Sequence, residues 1–345
     1  MSERTIIPHK DSIVKAASRI PVPLLLLVFM VFVFSLLSPR YLTVPNLVNI
    51  MVQCASGLGI ISIASFMAIC IGAVDLSLGA IMSCTGMLAA RILTMDTPFM
   101  KQLAGLNPAF PIFFAALAAM LLGLALGAFN GFILSKTNIP SFIITFGTLN
   151  IGETISRLLA GGSTIRINNE AFAMIGGGSF LQVAIGRRTI GLVPYAVVIM
   201  LVLYVVFTVI MKKVKFGTHM YALGGNREAA ALSGINVDRV IFKVFLINGL
   251  IAAIGGIILS SRLTSASAQN GLGLEFTGIA AAVVGGASLM GGKSTPIRTL
   301  VGALIITAMR NGFNMVGLSN SIQMISIGLV LIAIVGADAL RSRRT

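Results

Sequence analysis

Tryptophan is absent from this chain, histidine occurs twice and cysteine three times in 345 residues. His9 and His219 lie far apart in basic segments, so histidine-based metal or nucleophile chemistry has almost no raw material. Cys54, Cys70 and Cys84 sit in apolar stretches without C-x-x-C spacing. They read as small buried hydrophobes rather than a disulfide framework or a metal site. Charge is also scarce: 10% of residues, with only 10 Asp and Glu, against roughly 25% charge in an average soluble domain. That composition excludes a soluble enzyme, a disordered chain and a nucleic-acid module. The catalytic stock is too thin for a membrane-embedded enzyme. No cofactor or metal is expected on the chain, and no nucleic acid as a partner.

What fills the sequence instead is apolar: 57% hydrophobic residues and a mean hydropathy of +0.99. A spanning helix needs about 20 mostly apolar residues. Ten candidates stand near 21–38, 47–73, 77–95, 110–134, 140–160, 190–211, 239–261, 275–290, 297–316 and 321–339. The eighth is short and Gly-rich, so the expectation is an all-α polytopic membrane protein with about 10 transmembrane helices (8–10). The apolar run after Pro23 ends at Ser38-Pro39-Arg40 without a small-residue cleavage site, and reads as a first span rather than a signal peptide. With ten spans and the N-terminus inside, sixteen of the 25 Lys and Arg fall on the cytoplasmic side. That bias places both termini in the cytoplasm and accounts for the net charge of +15 by the positive-inside rule and attraction to anionic lipid. The expected organisation is a basic tail (1–20), one transmembrane domain (21–340) with a large internal loop at 212–238, and a basic tail (341–345). The largest external segment is 161–189.

Glycine is abundant, at 37 residues, and much of it lies inside the spans. Gly123 and Gly127 form a G-x-x-x-G pair suited to close helix packing. Segments 61–80 and 279–303 echo each other as apolar runs broken by Gly/Ser-rich stretches. This is a possible pseudo-repeat with interrupted helices, a pattern typical of transporters. Ala287 to Ser294 matches a relaxed phosphate-loop pattern, but apolar spans flank it and Pro296 follows, so it reads as a tight turn between two spans.

The few polar groups inside the spans are the candidates for a translocation pathway. Asp75 is an acid between two apolar runs, and an intramembrane carboxylate is a functional candidate by default. Just before Leu76-Ser77-Leu78 it could equally cap the next helix, with Ser77 joining the cap. Glu153 and Arg157 are spaced to pair on one helix, or to line an outer mouth. Among the neutral amides, Asn130, Asn150 and Asn314 are chosen as pathway candidates. Amides suit hydroxylated solutes, although helix-to-helix hydrogen bonds explain them equally well.

Segment 212–238 is the most informative. Asn226 is a good N-cap, Glu228 suits the positive first turn, Ala229, Ala230, Ala231 and Leu232 favour helix, and Gly234 can close it. The result is a helix of about two turns on the cytoplasmic side, too short to stand without a surface to pack on. It is either a connector lying on its own protein or a docking element for another subunit.

Glu228-Ala229-Ala230-x-x-x-Gly234 resembles the E-A-A-x-x-x-G element of ABC-importer permeases. Around it, Gly224-Gly225-Asn226, Leu232-Ser233-Gly234-Ile235-Asn236-Val237, Ile279-Ala280-Ala281, Gly285-Gly286, Ser288-Leu289, Gly291-Gly292-Lys293, Asn311-Gly312 and Gln323-Met324 resemble the ribose/galactose/xylose-type sugar permeases. Asp75-Leu76-Ser77-Leu78-Gly79 resembles the same family's D-L-S-x-G element. The likeness runs from about residue 41 onward and is densest over 216–338. Ala73-Val74 stands where members often have Gly-Ile, and Lys293-Ser-Thr-Pro replaces a Gly-rich continuation. The resemblance implies a subunit of the bacterial inner membrane that performs no covalent chemistry. ATP and magnesium would sit on a partner ATPase with two fused nucleotide-binding halves. A periplasmic solute-binding protein would deliver a monosaccharide-like solute, and two permease copies, identical or homologous, would form the pathway in the bilayer. Asn226, Arg227, Glu228, Ala229, Ala230, Leu232, Ser233 and Gly234 would couple the chain to the ATPase. The alternatives are a self-contained secondary transporter, or an ABC permease for a nucleoside or an amino acid.

Overall fold

The structure, a computed structural model, describes residues 22–107, 109–185, 188–292, 294–319, 321–329 and 332. The expected tails 1–20 and 341–345, Lys293 and the end of the tenth segment lie outside them. Fourteen named helices follow in order. They are α1 (Val22–Leu37), α2 (Val44–Ala55), α3 (Leu58–Cys70), α4 (Leu78–Leu93), α5 (Pro98–Leu106), α6 (Ala109–Lys136) and α7 (Ser141–Ala160). After these come α8 (Glu170–Gly177), α9 (Tyr195–Lys213), α10 (Lys215–Gly225), α11 (Arg227–Leu232), α12 (Val237–Leu263), α13 (Leu274–Val284) and α14 (Pro296–Val316). Residues 321–329 are helical as well.

Each of the ten apolar segments thus contains helix, but not always as one helix and not always over its whole length. Segment 47–73 is divided between α2 and α3, which meet at 41°. Helices α6, α9 and α12 are long and apolar enough to cross a bilayer unaided, and the bent pairs α2–α3 and α4–α5 bring the number to five. The α4–α5 pair bends by 84°, so α5 runs across the axis of α4. The sequence reading passed over α5, although Thr97 caps it by accepting from Met100 N at 3.3 Å and Pro98 opens it.

The core lies around α3, whose thirteen residues are all buried. A helix apolar on every side has no face to show water and belongs in the middle of a bundle. Helix α9 is fastened to it where Tyr204 Oη donates to Gly59 O at 2.8 Å and meets Ser62 Oγ at 2.8 Å. Helices α6 and α12 approach through glycine. A side chain at Gly249 would run into the Gly123 carbonyl, and one at Gly127 into the Phe245 carbonyl. The close contact removes the space a methyl group needs, and dispersion across the seam replaces it.

The other end of the fold is closed by α1 and α14. Tyr41 Oη donates to Ala308 O at 3.0 Å, and Asn46 Nδ2 donates to Asn311 Oδ1 at 2.9 Å. Gly312 faces the ring of Phe34 with no room for a Cβ. These contacts give the Asn311-Gly312 pair a packing role.

The all-α expectation needs one correction. The segment after α7 carries short β pairs: Ile165–Arg166 (β1) pairs antiparallel with Ser265–Ala266 (β4), and Gln182–Ile185 (β2) with Arg188–Gly191 (β3). Between them α8 packs on the end of α12, where Gly176 N donates to Ser261 Oγ at 2.7 Å. Segment 161–189, expected as the largest external one, therefore carries a short helix and short strands over its described residues. Its Gly-rich composition supplied turns and a close helix contact rather than slack chain.

Replacing Gly127 by Leu is expected to lower stability by about 1–3 kcal/mol, the usual range for overpacking a tight seam. Gly147→Leu, where no atom lies within 4 Å of the added Cβ, is expected to leave it unchanged. Thermal unfolding of both variants in the same detergent checks this.

Candidate functional site

Between α3 and α4 the helix stops and residues 71–77 run as irregular backbone. In a bilayer interior, non-helical backbone survives only where its amides find partners within the protein. Here they do. Val74 N donates to Ser141 Oγ at 2.9 Å and Leu76 N to Thr145 Oγ1 at 3.1 Å, both on α7. Ser77 N donates to Asp75 Oδ1 at 3.1 Å.

Asp75 is the hub of this interruption. Its Oδ1 also accepts from Ser77 Oγ at 2.6 Å, and its Oδ2 accepts from Asn248 Nδ2 of α12 at 3.1 Å. Ser77 Oγ in turn accepts from Asn130 Nδ2 of α6 at 2.9 Å, and Asn130 Oδ1 accepts from Thr148 Oγ1 of α7. Asp75, Ser77, Asn130, Thr148 and Asn248 are all buried. One carboxylate thus ties four elements together at the start of α4, whose positive end favours it. Asp75 serves the helix break by accepting from Ser77 N, while the Ser77 side chain, expected to join the cap, makes no cap bond to α4 and donates to Asp75 instead.

A second acid stands at the same helix end. Glu275, in the first turn of α13, is buried, and its Oε1 accepts from Gly273 N at 3.0 Å. Its Oε2 lies against Gly79, where a Cβ would collide with it. That contact is the physical reason for glycine at the end of the D-L-S-x-G element. Glu275 is not among the candidates drawn from the sequence. Its isolation in an apolar run was the available signal, the same one that singled out Asp75.

The remaining candidates lie elsewhere. Asn150 is exposed on the outer surface of α7, with Nδ2 donating to Phe146 O at 2.8 Å, and does not join the Asp75 cluster. Asn314 accepts from Gln323 Nε2 at 2.7 Å and lines a cavity of about 610 Å³ between α2, α12, α13, α14 and the helix at 321–329. A smaller cavity, about 230 Å³, lies at the opposite end of α12, against the interrupted backbone at Ile71–Ala73 and beside Arg227. Glu153 and Arg157 pair at 3.3 Å on α7.

The short helix in segment 212–238 forms with the expected cap. Asn226 Oδ1 accepts from Ala229 N at 2.9 Å, Glu228 stands in the first turn, and Gly234 adopts φ +81° after the last turn. It rests on α10, a helix the sequence reading did not separate from the loop, through buried Ala230. Arg227, Glu228, Ala229, Leu232, Ser233 and Gly234 face outward, and Leu232 is 91% exposed. The neighbouring turn also touches the interruption. Gly292 N donates to Cys70 O at 3.1 Å, and Gly224 of α10 leaves no room for a side chain against the same carbonyl. Tyr221 Oη donates to Ser294 O at 2.5 Å. The phosphate-loop-like stretch is therefore a turn packed on α10. A helix, α13, precedes it where a phosphate loop needs a strand.

Replacing Asp75 by Ala orphans buried donors on Ser77 and Asn248, at about 1–3 kcal/mol each. Asn150→Ala is expected to stay within about 0.5 kcal/mol, as for an exposed surface site. Unfolding midpoints of the two purified variants separate these outcomes.

Three comparisons bear on identity. Residues 46–335 match the family described as "Branched-chain amino acid transport system / permease component". The ribose import permease of Haemophilus influenzae is 34% identical over 90% of each chain. The D-allose transport system permease of Escherichia coli K12 is 33% identical, covering 92% of this chain and 91% of its own. The L-arabinose ABC transporter permease of Azospirillum brasilense is 29% identical over 93% of this chain and 88% of its own. No solved structure matches the chain. With the match running from α2 through the last described helix, the chain belongs to the branched-chain amino acid transport system permease family of multi-pass membrane proteins.

Proposed function

We propose that this chain is the permease subunit of an ATP-driven importer for a monosaccharide-like solute. The family assignment and the names of its ribose, D-allose and L-arabinose relatives support the class and favour a sugar over an amino acid or a nucleoside. The observation that carries the reading is α11: a capped helix with an apolar tip, Leu232, held clear of its own protein. A short helix is marginal without a surface to pack on, and its outward face offers Glu228 and Leu232 to a second subunit.

On this reading ATP and magnesium are bound by a separate ABC-type ATPase. A periplasmic solute-binding protein delivers the solute, and a second permease copy, identical or homologous, completes the pathway. The chain sits in a bacterial inner membrane with about ten spans and both termini in the cytoplasm. Residues 21–340 form the membrane domain, and 1–20 and 341–345 form basic cytoplasmic tails. Closure of the ATPase halves pushes α11. The push passes to α10 and, through Gly224 and the 291–292 turn, to Cys70 and the interruption that holds Asp75. A rigid movement of packed elements about such an interruption opens one cavity while closing the other. Asp75, Ser77 and Asn130 then act at the point where the two arrangements differ.

Leu232→Asp is expected to cut solute uptake at least about tenfold while the chain remains in the membrane, because a coupling loss of about 1.4 kcal/mol is already tenfold. Unchanged uptake overturns the docking role of α11. Mild affinity purification of the tagged chain is expected to recover an ABC-type ATPase in stoichiometric amount. Repeated recovery of the chain alone points instead to a self-contained transporter.

A further inference from the structure

The larger cavity has a charge pattern that a neutral sugar does not need. Arg262, from the last turn of α12, and Arg310, on α14, both line it, and no Asp or Glu among the described residues does. Gln53, Asn270, Asn314 and Gln323 complete its polar wall. Both arginines are half-buried. Arg262 donates from Nη1 to Ser56 Oγ at 3.1 Å. Among the described residues the ion pairs are Lys101–Asp96, Lys136–Asp238 and Arg157–Glu153, so neither guanidinium has a carboxylate partner there. The nearest acid in sequence to the cavity wall, Glu275, turns its carboxylate to Gly273 and Gly79.

Two ordinary explanations fall short. Positive-inside anchoring does not apply, because the cavity lies at the opposite end of α12 from Arg227, Asp238 and Arg239. The negative end of α12 helps Arg262, but Arg310 stands two turns before the Gly317 cap of α14, beyond the reach of that effect. A half-buried cation in a membrane protein is expensive without a partner and marks a pathway for ligands or ions. Guanidinium groups present a planar fork that matches carboxylate and phosphate. The surrounding amides supply donors and acceptors for hydroxyl groups. The volume, about 610 Å³, is in the range of small-molecule sites, roughly 300–1,000 Å³.

We infer that this cavity receives a polyhydroxylated anion: a sugar acid or a sugar phosphate, its negative group held by Arg262 and Arg310 and its hydroxyls by the amide wall. As a statement about transported solute this rests on the importer reading. As a statement about binding it stands on the cavity alone.

The test uses the purified full chain in lipid nanodiscs at fixed ionic strength. D-ribonate, D-ribose 5-phosphate, neutral D-ribose and inorganic phosphate are titrated separately, with binding read from the rise in unfolding midpoint. One of the two sugar anions is expected to raise the midpoint, and D-ribose and inorganic phosphate to have little effect. Ribonate against ribose 5-phosphate distinguishes carboxylate from phosphate. Arg310→Gln and Arg262→Gln are each expected to weaken the apparent affinity about tenfold or more. Arg310→Lys, which keeps the charge and loses the fork, falls between, and Arg298→Gln, away from the cavity, retains full binding. A response to D-ribose equal to that of both anions, a response to inorganic phosphate as large as to the sugar anions, or anion binding unchanged in both Gln variants overturns the inference. No response to any of the four also overturns it. Because the readout needs no ATPase, failure to recover an ATPase partner would sink the importer reading and leave this result standing.

Discussion

The fold depends on how the chain accommodates a stretch of unwound backbone in an apolar environment. Residues 71–77 leave the helix, and each exposed amide would cost several kcal/mol in hydrocarbon. Ser141 and Thr145 answer two of them from α7, and Asp75 answers a third from within the segment. Asp75 in turn needs donors, which it takes from Ser77 and Asn248. The interruption therefore dictates which faces of α6, α7 and α12 must meet around it, and a polar residue on each of those helices is explained by that demand.

Glycine makes the meeting possible. The α6–α12 seam, the approach of α4 to α13 and the contact of α10 with Cys70 all occur where a side chain would collide with backbone or carboxylate. Close backbone contact makes these joints stiff, since packed interiors transmit displacement rather than absorb it. The same stiffness connects α11, on one surface of the protein, to the interruption inside it. On the proposed importer reading, a partner's push on that short exposed helix is carried to the interruption.

The cavities at the two ends of α12 differ in chemistry. The smaller borders Ile71–Ala73 and Arg227, and the larger is lined by amides and two arginines. The buried knot between Asp75, Ser77, Asn130, Thr148 and Asn248 is held by side-chain hydrogen bonds and leaves Asn248 Oδ1 without a partner.

Much of this was legible in the residues. The apolar runs place the helices, because length and hydropathy alone decide whether a segment is stable in lipid. The cap at Asn226 and the turn at Gly234 were legible because capping is local: the partner atoms lie within four residues. Helix α5 was equally local, announced by Thr97-Pro98, and was simply missed. The amides show the limit. Asn130 and Asn150 look alike in sequence, yet one is buried against Ser77 and the other is exposed on α7. The rotation of each helix in the bundle decided that, through contacts between residues far apart in the chain. The pairing of Asn248 with Asp75, 173 positions away, and the gathering of Arg262 and Arg310 on one cavity are of the same kind. By itself the sequence determined which segments are helices, where they are capped and broken, and which polar groups had to find partners. Only the tertiary structure decided who the partners are, because hydrogen bonds and cavities depend on distances in space that no local rule contains.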